Sequence, residues 1–386
     1  MYRILTLNKI ADTALAQLPP KEYQVSGDEK NPHGVLVRSY DMHQMELPAD
    51  LLAIARAGAG TNNIPAAQCA EQGVVVFNTP GGNANAVKEL VIAGVLLASR
   101  KISAGIQWAQ GLHGQEGVAA LVEKGKNQFA GPEIAGKKMG VIGLGAVGLL
   151  VANACESLGM EVYGFDAFHS VEFAWRLSPG VKKAAGVEAI FAECDYVSIH
   201  VPLNNDTRYM VNDQLLDAAK PGIRIINYSR ADLVDNNAIK KAVANGKVAC
   251  YVTDFPTEDV LGCDGILPIP HLGASTPESE DNCAEMAAKQ LRDYLAHGNI
   301  VNSVNFPACE YPMGSGRRVC VFHKDVADVA GVLTKAAADN GTQAVQVMAR
   351  NRGAFGYAIM DIAGSDASGI EKTLKEVPGV LRVRVL

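Results

Sequence analysis

A chain of 386 residues, 48% apolar and 20% charged, is long enough for two or three separately packed domains and carries no low-complexity tract. Its formal net charge of −6 argues against nucleic acid as the main partner. The N-terminal stretch MYRILTLNKIADTALAQLPP reads as a strand and a polar-faced helix rather than an export signal. The longest apolar run, 90–98, is about half of the ~20 residues a bilayer span requires, so no membrane partner is expected.

The eight cysteines show no C-x-x-C spacing and sit mostly in apolar segments. They read as buried free thiols of a cytoplasmic protein with no metal site. Residues 1 to about 90 alternate β-type runs (2–7, 23–26, 34–39, 52–57 and 74–78) with helical ones, the pattern of a small parallel α/β unit. Three of its loops are polar or glycine-rich: Arg38-Ser39-Tyr40, Gly58 to Asn63, and Asn78 to Asn85. Ligands of open parallel sheets bind outside the carboxyl ends of the strands, where such loops lie. A long helix is expected from Asn85 to about Ser99 and a second through Trp108. The polar, glycine-interrupted stretch 111–131 reads as a surface arm at a subunit contact.

Next comes KMGVIGLGAVGLLVANACESLGMEVYGFD, 138–166. A short apolar strand leads into Gly143, Gly145 and Gly148, which spell G-x-G-x-x-G. An apolar helix and a second strand ending in Asp166 follow. In a dinucleotide site the three glycines give a tight turn, close approach to the pyrophosphate and close helix–strand packing, with the phosphates at the helix N-terminus. A carboxylate about 20 residues further on binds the ribose hydroxyls and repels a 2′-phosphate. Strand, glycines, helix, strand and acid arrive in order, so NAD is the expected cofactor.

Further strands are expected at 181–185, 196–202, 223–230, 247–255 and 266–272, with His200, Ser229, Arg230, Asp254, Glu258 and His271 at their carboxyl ends or just beyond. Moving a hydride from a secondary alcohol to nicotinamide needs a base, a cation and a partner for the base. His271 suits the base. Glu258 suits a partner that orients the imidazole, and Arg230 suits a planar fork for a carboxylate. Thr276-Pro277-Glu278 marks the start of a helix long enough to return to the first unit. Residues 302–316 read as a linker, and 317–386 follow the order strand, helix, strand, strand, helix, strand of a ferredoxin-like module.

These motifs resemble the D-2-hydroxyacid dehydrogenases over essentially all of residues 1–305. The resemblance rests on Arg38-Ser39, RAGAGTNNI, NTPGGNANAVKEL, GLGAVG with Asp166, HVPL, NYSRADLVD, TDFPTED and PHLGAST. It implies two doubly wound parallel-sheet (Rossmann/flavodoxin-like) domains. The first is a discontinuous substrate-binding domain, 1–92 and 277–305, and the second an NAD-binding domain, 93–276. A linker, 306–316, then leads to the ferredoxin-like βαββαβ module, 317–386, which looks like an ACT domain. The resemblance implies Arg230, Glu258 and His271 as the catalytic set. It implies Gly143, Gly145, Ala146, Val147, Gly148, Asp166, His200, Val201, Pro202, Ser229, Asp254 and Gly273 around the dinucleotide, with Asp254 near the nicotinamide carboxamide. Arg38, Ser39, Ala57, Gly58, Asn78 and Asn83, with Arg230 and His271, would meet the substrate.

Within the family, the added module points to a homodimer or homotetramer acting on a phosphorylated 2-hydroxy acid in amino-acid biosynthesis. The chain departs from the family in four places. Arg230 is followed by Ala231 rather than Gly, and the interval from Asp254 to Glu258 is one residue short. Tyr40 stands where some members have a second basic residue, which leaves Lys88 or Arg56 as phosphate cations. The module's first loop shows Asp328-Val329-Ala330-Gly331, and its second strand opens Thr342-Gln343-Ala344, so a weak response to L-serine is expected. A reductase of another small 2-oxo acid, or an NAD-sensing regulatory protein on the same fold, stays open.

Overall fold

The computed structural model describes residues 1–168, 171–314, 316–364 and 367–386. It forms two compact units, Met1–Asn83 with Pro277–Leu386, and Ala84–Thr276.

In the first unit, strands β1 (Tyr2–Leu7), β2 (Tyr23–Ser26), β3 (Gly34–Val37), β4 (Ala53–Arg56) and β5 (Val75–Phe77) form a sheet of order β2-β1-β3-β4-β5. All of its pairings are parallel. Strands buried on both faces need continuous apolar runs, and GVLV of β3 and VVF of β5 are buried throughout. The helix Pro277–His297 lays Ala287, Leu291 and Tyr294 into the same core as Ile4, Leu36 and Phe77. At β3 a Cβ on Gly34 would meet the Leu291 methyls at 3.0 Å, so glycine lets the helix close on the strand.

In the second unit, β6 (Lys138–Ile142), β7 (Glu161–Phe165), β8 (Lys182–Lys183), β9 (Tyr196–Ile199), β10 (Ile223–Asn227), β11 (Val248–Thr253) and β12 (Ile266–Pro268) are again all parallel. Their order is β12-β11-β10-β9-β6-β7-β8. The order reverses between β6 and β9, the switch point at which such sheets bind ligands. Strands β3 and β8 to β12 stop two to four residues before the β-type runs do, and β4 and β5 stop one residue before. Ser39, Ala57, Asn78, His200, Ser229, Arg230, Asp254 and His271 therefore lie beyond the hydrogen-bonded ladder, in the loops at its carboxyl edge. The stretch expected as a surface arm holds a helix, Val118–Gly125, and a 3-10 turn, Lys126–Phe129. Trp108 supplies the reason: its ring packs against Phe129 at 5.3 Å and lies over Gly125.

The C-terminal strands β13 (Arg317–Lys324), β14 (Ala344–Arg352), β15 (Phe355–Ile362) and β16 (Val380–Val385) make an antiparallel sheet of order β14-β15-β13-β16. Helices Val329–Asp339 and Ser368–Lys375 cover one face through Leu333, Ile370 and Leu374. The other face, Cys320, Phe322, Tyr357 and Ile359, is continuous with the core of the first sheet. The expected linker starts inside that core. Phe306 and Cys309 are fully buried, and Cys309 exchanges backbone hydrogen bonds with Ile300. Among the described residues no helix is long and apolar enough to cross a membrane.

Candidate active site

The glycine loop is dictated by its backbone. Gly143 takes φ +89°, and a Cβ there would meet the His200 carbonyl oxygen at 2.6 Å. A Cβ on Gly148 would fall onto the Gly143 carbonyl, whereas one on Gly145 would meet nothing within 4 Å. The helix opened by Ala146 and Val147 thus starts beside a gap bare of side chains, a cradle a pyrophosphate fits. Asp166 braces this loop. Its Oδ2 accepts the Leu144 N–H at 2.6 Å and its Oδ1 the Phe168 N–H at 2.7 Å. A mostly apolar cavity of about 180 Å³ lies beside it, between Leu144, Phe165, Phe168, Leu177 and Val181.

Across the switch point, Ser229 Oγ donates to the Val201 carbonyl at 2.8 Å, tying the loop before Pro202 to the one that carries Arg230. Burial pushes the His200 imidazole down to about 4, and its Nε2 lies 2.8 Å from Ser198 Oγ. The Arg230 carbonyl accepts from Asn227 Nδ2 at 2.9 Å, while its guanidinium is exposed and reaches only the Ser229 carbonyl, at 2.7 Å. His271 is also exposed and packs on the Phe255 ring at 5.0 Å.

The expected acid and the expected base are both exposed. Glu258 is exposed, and no hydrogen bond joins it to His271. The next residue, Asp259, accepts from Thr257 Oγ1, Asn236 Nδ2 and Lys240 Nζ, which pins the turn against the helix Asn236–Ala244. The carboxylate beside the imidazole is Asp254. It is 1% exposed and neither oxygen has a hydrogen-bond partner. Burial raises its pKa, opposed by the charges of His271 and Arg230. A buried, unpaired carboxylate at a strand end is costly unless something donates to it. A nicotinamide carboxamide is such a donor. With the bare glycine cradle and Asp166, this fits NAD.

In the first unit, Asn8 Oδ1 accepts the N–H groups of Ser39 and Tyr40 at 2.9 and 2.6 Å, and Arg56 Nε donates to the Arg38 carbonyl at 3.1 Å. The Arg38 guanidinium pairs with Glu280. Ala57 N–H donates to Val37, and the Arg56 guanidinium lies over Gly58. Asn78 Nδ2 donates to the Ala59 carbonyl at 2.7 Å. Asn83 precedes the helix Ala84–Ser99, and Lys88 pairs with Glu89 at 3.5 Å.

Residues 92–273 match the family described as D-isomer specific 2-hydroxyacid dehydrogenase, NAD binding domain. The chain is 31% identical to D-3-phosphoglycerate dehydrogenase of Escherichia coli K12, over 87% of this chain and 82% of that protein. The chain belongs to the D-2-hydroxyacid dehydrogenase family. It is 28% identical to the Haemophilus influenzae protein of the same name, over 94% of this chain and 90% of that one. A solved structure of NAD+-bound 3-phosphoglycerate dehydrogenase from Entamoeba histolytica superposes with a TM-score of 0.61 at 25% identity, covering 79% of this chain and 98% of that one. As a member of this family the protein is an NAD-dependent oxidoreductase.

The helix Pro277–His297 contributes residues that sequence reasoning passed over. Glu280 holds Arg38, Cys283 packs on Gly82, and Gln290 Nε2 donates to the Asn78 carbonyl at 3.0 Å. Glu280 reads in sequence as first-turn acid complementing the helix dipole, which hides its reach to a loop 242 residues away.

Proposed function

We propose that the protein oxidises D-3-phosphoglycerate to 3-phosphohydroxypyruvate, the first committed step of L-serine biosynthesis, in the cytoplasm. The observation that carries this reading is the match to proteins named D-3-phosphoglycerate dehydrogenase, which extends past the catalytic domains into the C-terminal module. His271 accepts the hydroxyl proton, since an imidazole changes protonation near neutral pH. Arg230, its guanidinium exposed beyond β10, holds the substrate carboxylate and the developing carbonyl oxygen. The bound nicotinamide supplies the hydride acceptor. Asp254 fixes its carboxamide, and Asp166 and the glycine loop hold the ribose and pyrophosphate. Arg38, Ser39, Gly58, Asn78 and Asn83 serve the substrate's distal end, with Arg56 joining Arg38 as a second cation for a phosphate.

The proposed division of labour is substrate binding by 1–92 with 277–305, NAD binding by 93–276 and an ACT-like module at 317–386, although the compact units divide between Asn83 and Ala84. Two surfaces support a homodimer or homotetramer. One is the arm, whose helices Ile102–Gln110 and Val118–Gly125 bury none of their residues. The other is the outer strand β14, whose free edge offers unpaired backbone groups.

One observation favours a second reading, reduction of an unphosphorylated 2-oxo acid of the glyoxylate or hydroxypyruvate type. Arg38, one of the two cations proposed for a phosphate, already carries a carboxylate. Steady-state rates with NADH and a panel of 2-oxo acids test the two. Preference for 3-phosphohydroxypyruvate by tenfold or more in kcat/KM is expected; preference for glyoxylate or hydroxypyruvate would replace the first reading by the second.

A further inference from the structure

We propose that Glu280 is a charge filter at the substrate's distal end, setting the balance between phosphorylated and unphosphorylated 2-oxo acids. This rests on the dehydrogenase reading above. The Arg38 backbone cannot drift away from Glu280. Its carbonyl is held by Arg56 Nε at 3.1 Å, and the two following N–H groups are held by Asn8. Glu280 is equally fixed, in the first turn of the helix Pro277–His297, between the buried Ser279 and Cys283. That turn favours an anion because the helix dipole presents its positive end there. The ion pair nevertheless stays within reach of a solute, since the two side chains keep 42% and 41% of their exposure.

A phosphate therefore meets a guanidinium that is already neutralised, next to a carboxylate that stays in place. It must displace Glu280 from Arg38 and then lie against the displaced charge. A hydroxymethyl or hydrogen at the same end of the substrate meets no such opposition and loses nothing to it. Glu280 thus lowers the affinity for the dianionic substrate selectively and leaves proton transfer at His271 alone. Exposed ion pairs are individually weak, so the filter is modest, about three- to tenfold.

Glu280→Gln keeps the side-chain shape and hydrogen bonding while removing the charge. The ratio of kcat/KM for 3-phosphohydroxypyruvate to that for hydroxypyruvate, both with NADH, should rise about three- to tenfold. The change should come through KM, with kcat within about twofold of the parent. The double variant Arg38→Met with Glu280→Gln should lose the gain, because the released guanidinium is its source. A ratio that is unchanged or lower in Glu280→Gln, or a gain that survives in the double variant, overturns the filter alone. If the parent reduces no 2-oxo acid with NADH, the dehydrogenase reading falls and the filter with it.

Discussion

Three side chains in the loops beyond the strand ends, His271, Glu258 and His200, make separable predictions. His271→Asn should lower turnover by ~100-fold or more with NADH binding retained, the usual loss for a general base; fluorescence titration of NADH beside kcat checks both halves. Glu258→Gln should leave the pH–rate profile close to the parent's, since the side chain is exposed and unbonded to the imidazole. A displaced profile would return Glu258 to the role its sequence position suggested. His200 bears on stability. Its folded pKa of about 4 lies below the ordinary 6.5, so between these values the unfolded chain binds the proton that the folded one refuses. The stability at stake is complete above pH 6.5 and lost as pH falls towards 4, on the order of 3 kcal/mol. Melting temperatures of His200→Gln should therefore fall less steeply than the parent's across that window. Parallel slopes would assign the acid sensitivity elsewhere.

At the level of elements, the helix Pro277–His297 is fastened at both ends. Its first turn meets Arg38, and its last carbonyls are taken by buried donors from the C-terminal strands. Arg318 Nη1 donates to the His297 carbonyl at 2.8 Å, Arg384 Nη2 to that of Leu295 at 3.1 Å, and Tyr357 Oη to that of Gly298 at 2.6 Å. These arginines serve the negative end of the helix dipole as well as its unpaired carbonyls. Arg318 also grips Asp361 bidentately, at 2.7 and 2.9 Å, with no exposure of its own. Removing one partner of a buried pair strands the other, so Arg318→Met should cost about 3–5 kcal/mol. Arg318→Met with Asp361→Leu should cost less, because no carboxylate is then left unpaired. Urea unfolding of the two variants checks this order; equal losses would mean that the helix-end bonds, and not Asp361, set the cost.

For the whole molecule, the C-terminal module shares its core with the first sheet and is built into that unit. The polar groups at the end of β13 and in the loop after it are mostly engaged or buried. His323 is buried with neither ring nitrogen bonded, and burial lowers its pKa. Lys324 pairs with Glu71 at 2.6 Å, and Asp328 caps its own helix at the Gly331 N–H. Two non-glycine residues of this loop, Asp325 and Asp328, sit at φ +52° and +45°, so the loop has little freedom to reorganise cheaply. L-Serine should accordingly inhibit only at millimolar concentrations, if at all, and shift the melting temperature little. Half-inhibition at micromolar serine would show that the module reads it.

What the chain alone determined is what is encoded over short spans. The G-x-G-x-x-G turn needs glycine where a Cβ has no room, and an acid follows the second strand and braces that turn. Alternating apolar runs and helices imply parallel sheets, and β-α-β-β-α-β order implies the C-terminal sheet. Each follows from local sterics or periodicity, and each was legible. What only the tertiary structure decided depends on residues far apart in the chain or on a register of one. The turn pinned by Asp259 leaves Glu258 exposed, and Asp254 is the buried carboxylate that feels the charge of His271. The sheet ends before the apolar runs do, because a ladder needs a pairing neighbour and hydrophobicity does not. Arg38 meets Glu280 across 242 residues because Leu291 fits over Gly34 and sets where the long helix lies. No local pattern carries that fit; it exists only once the helix and the sheet have packed.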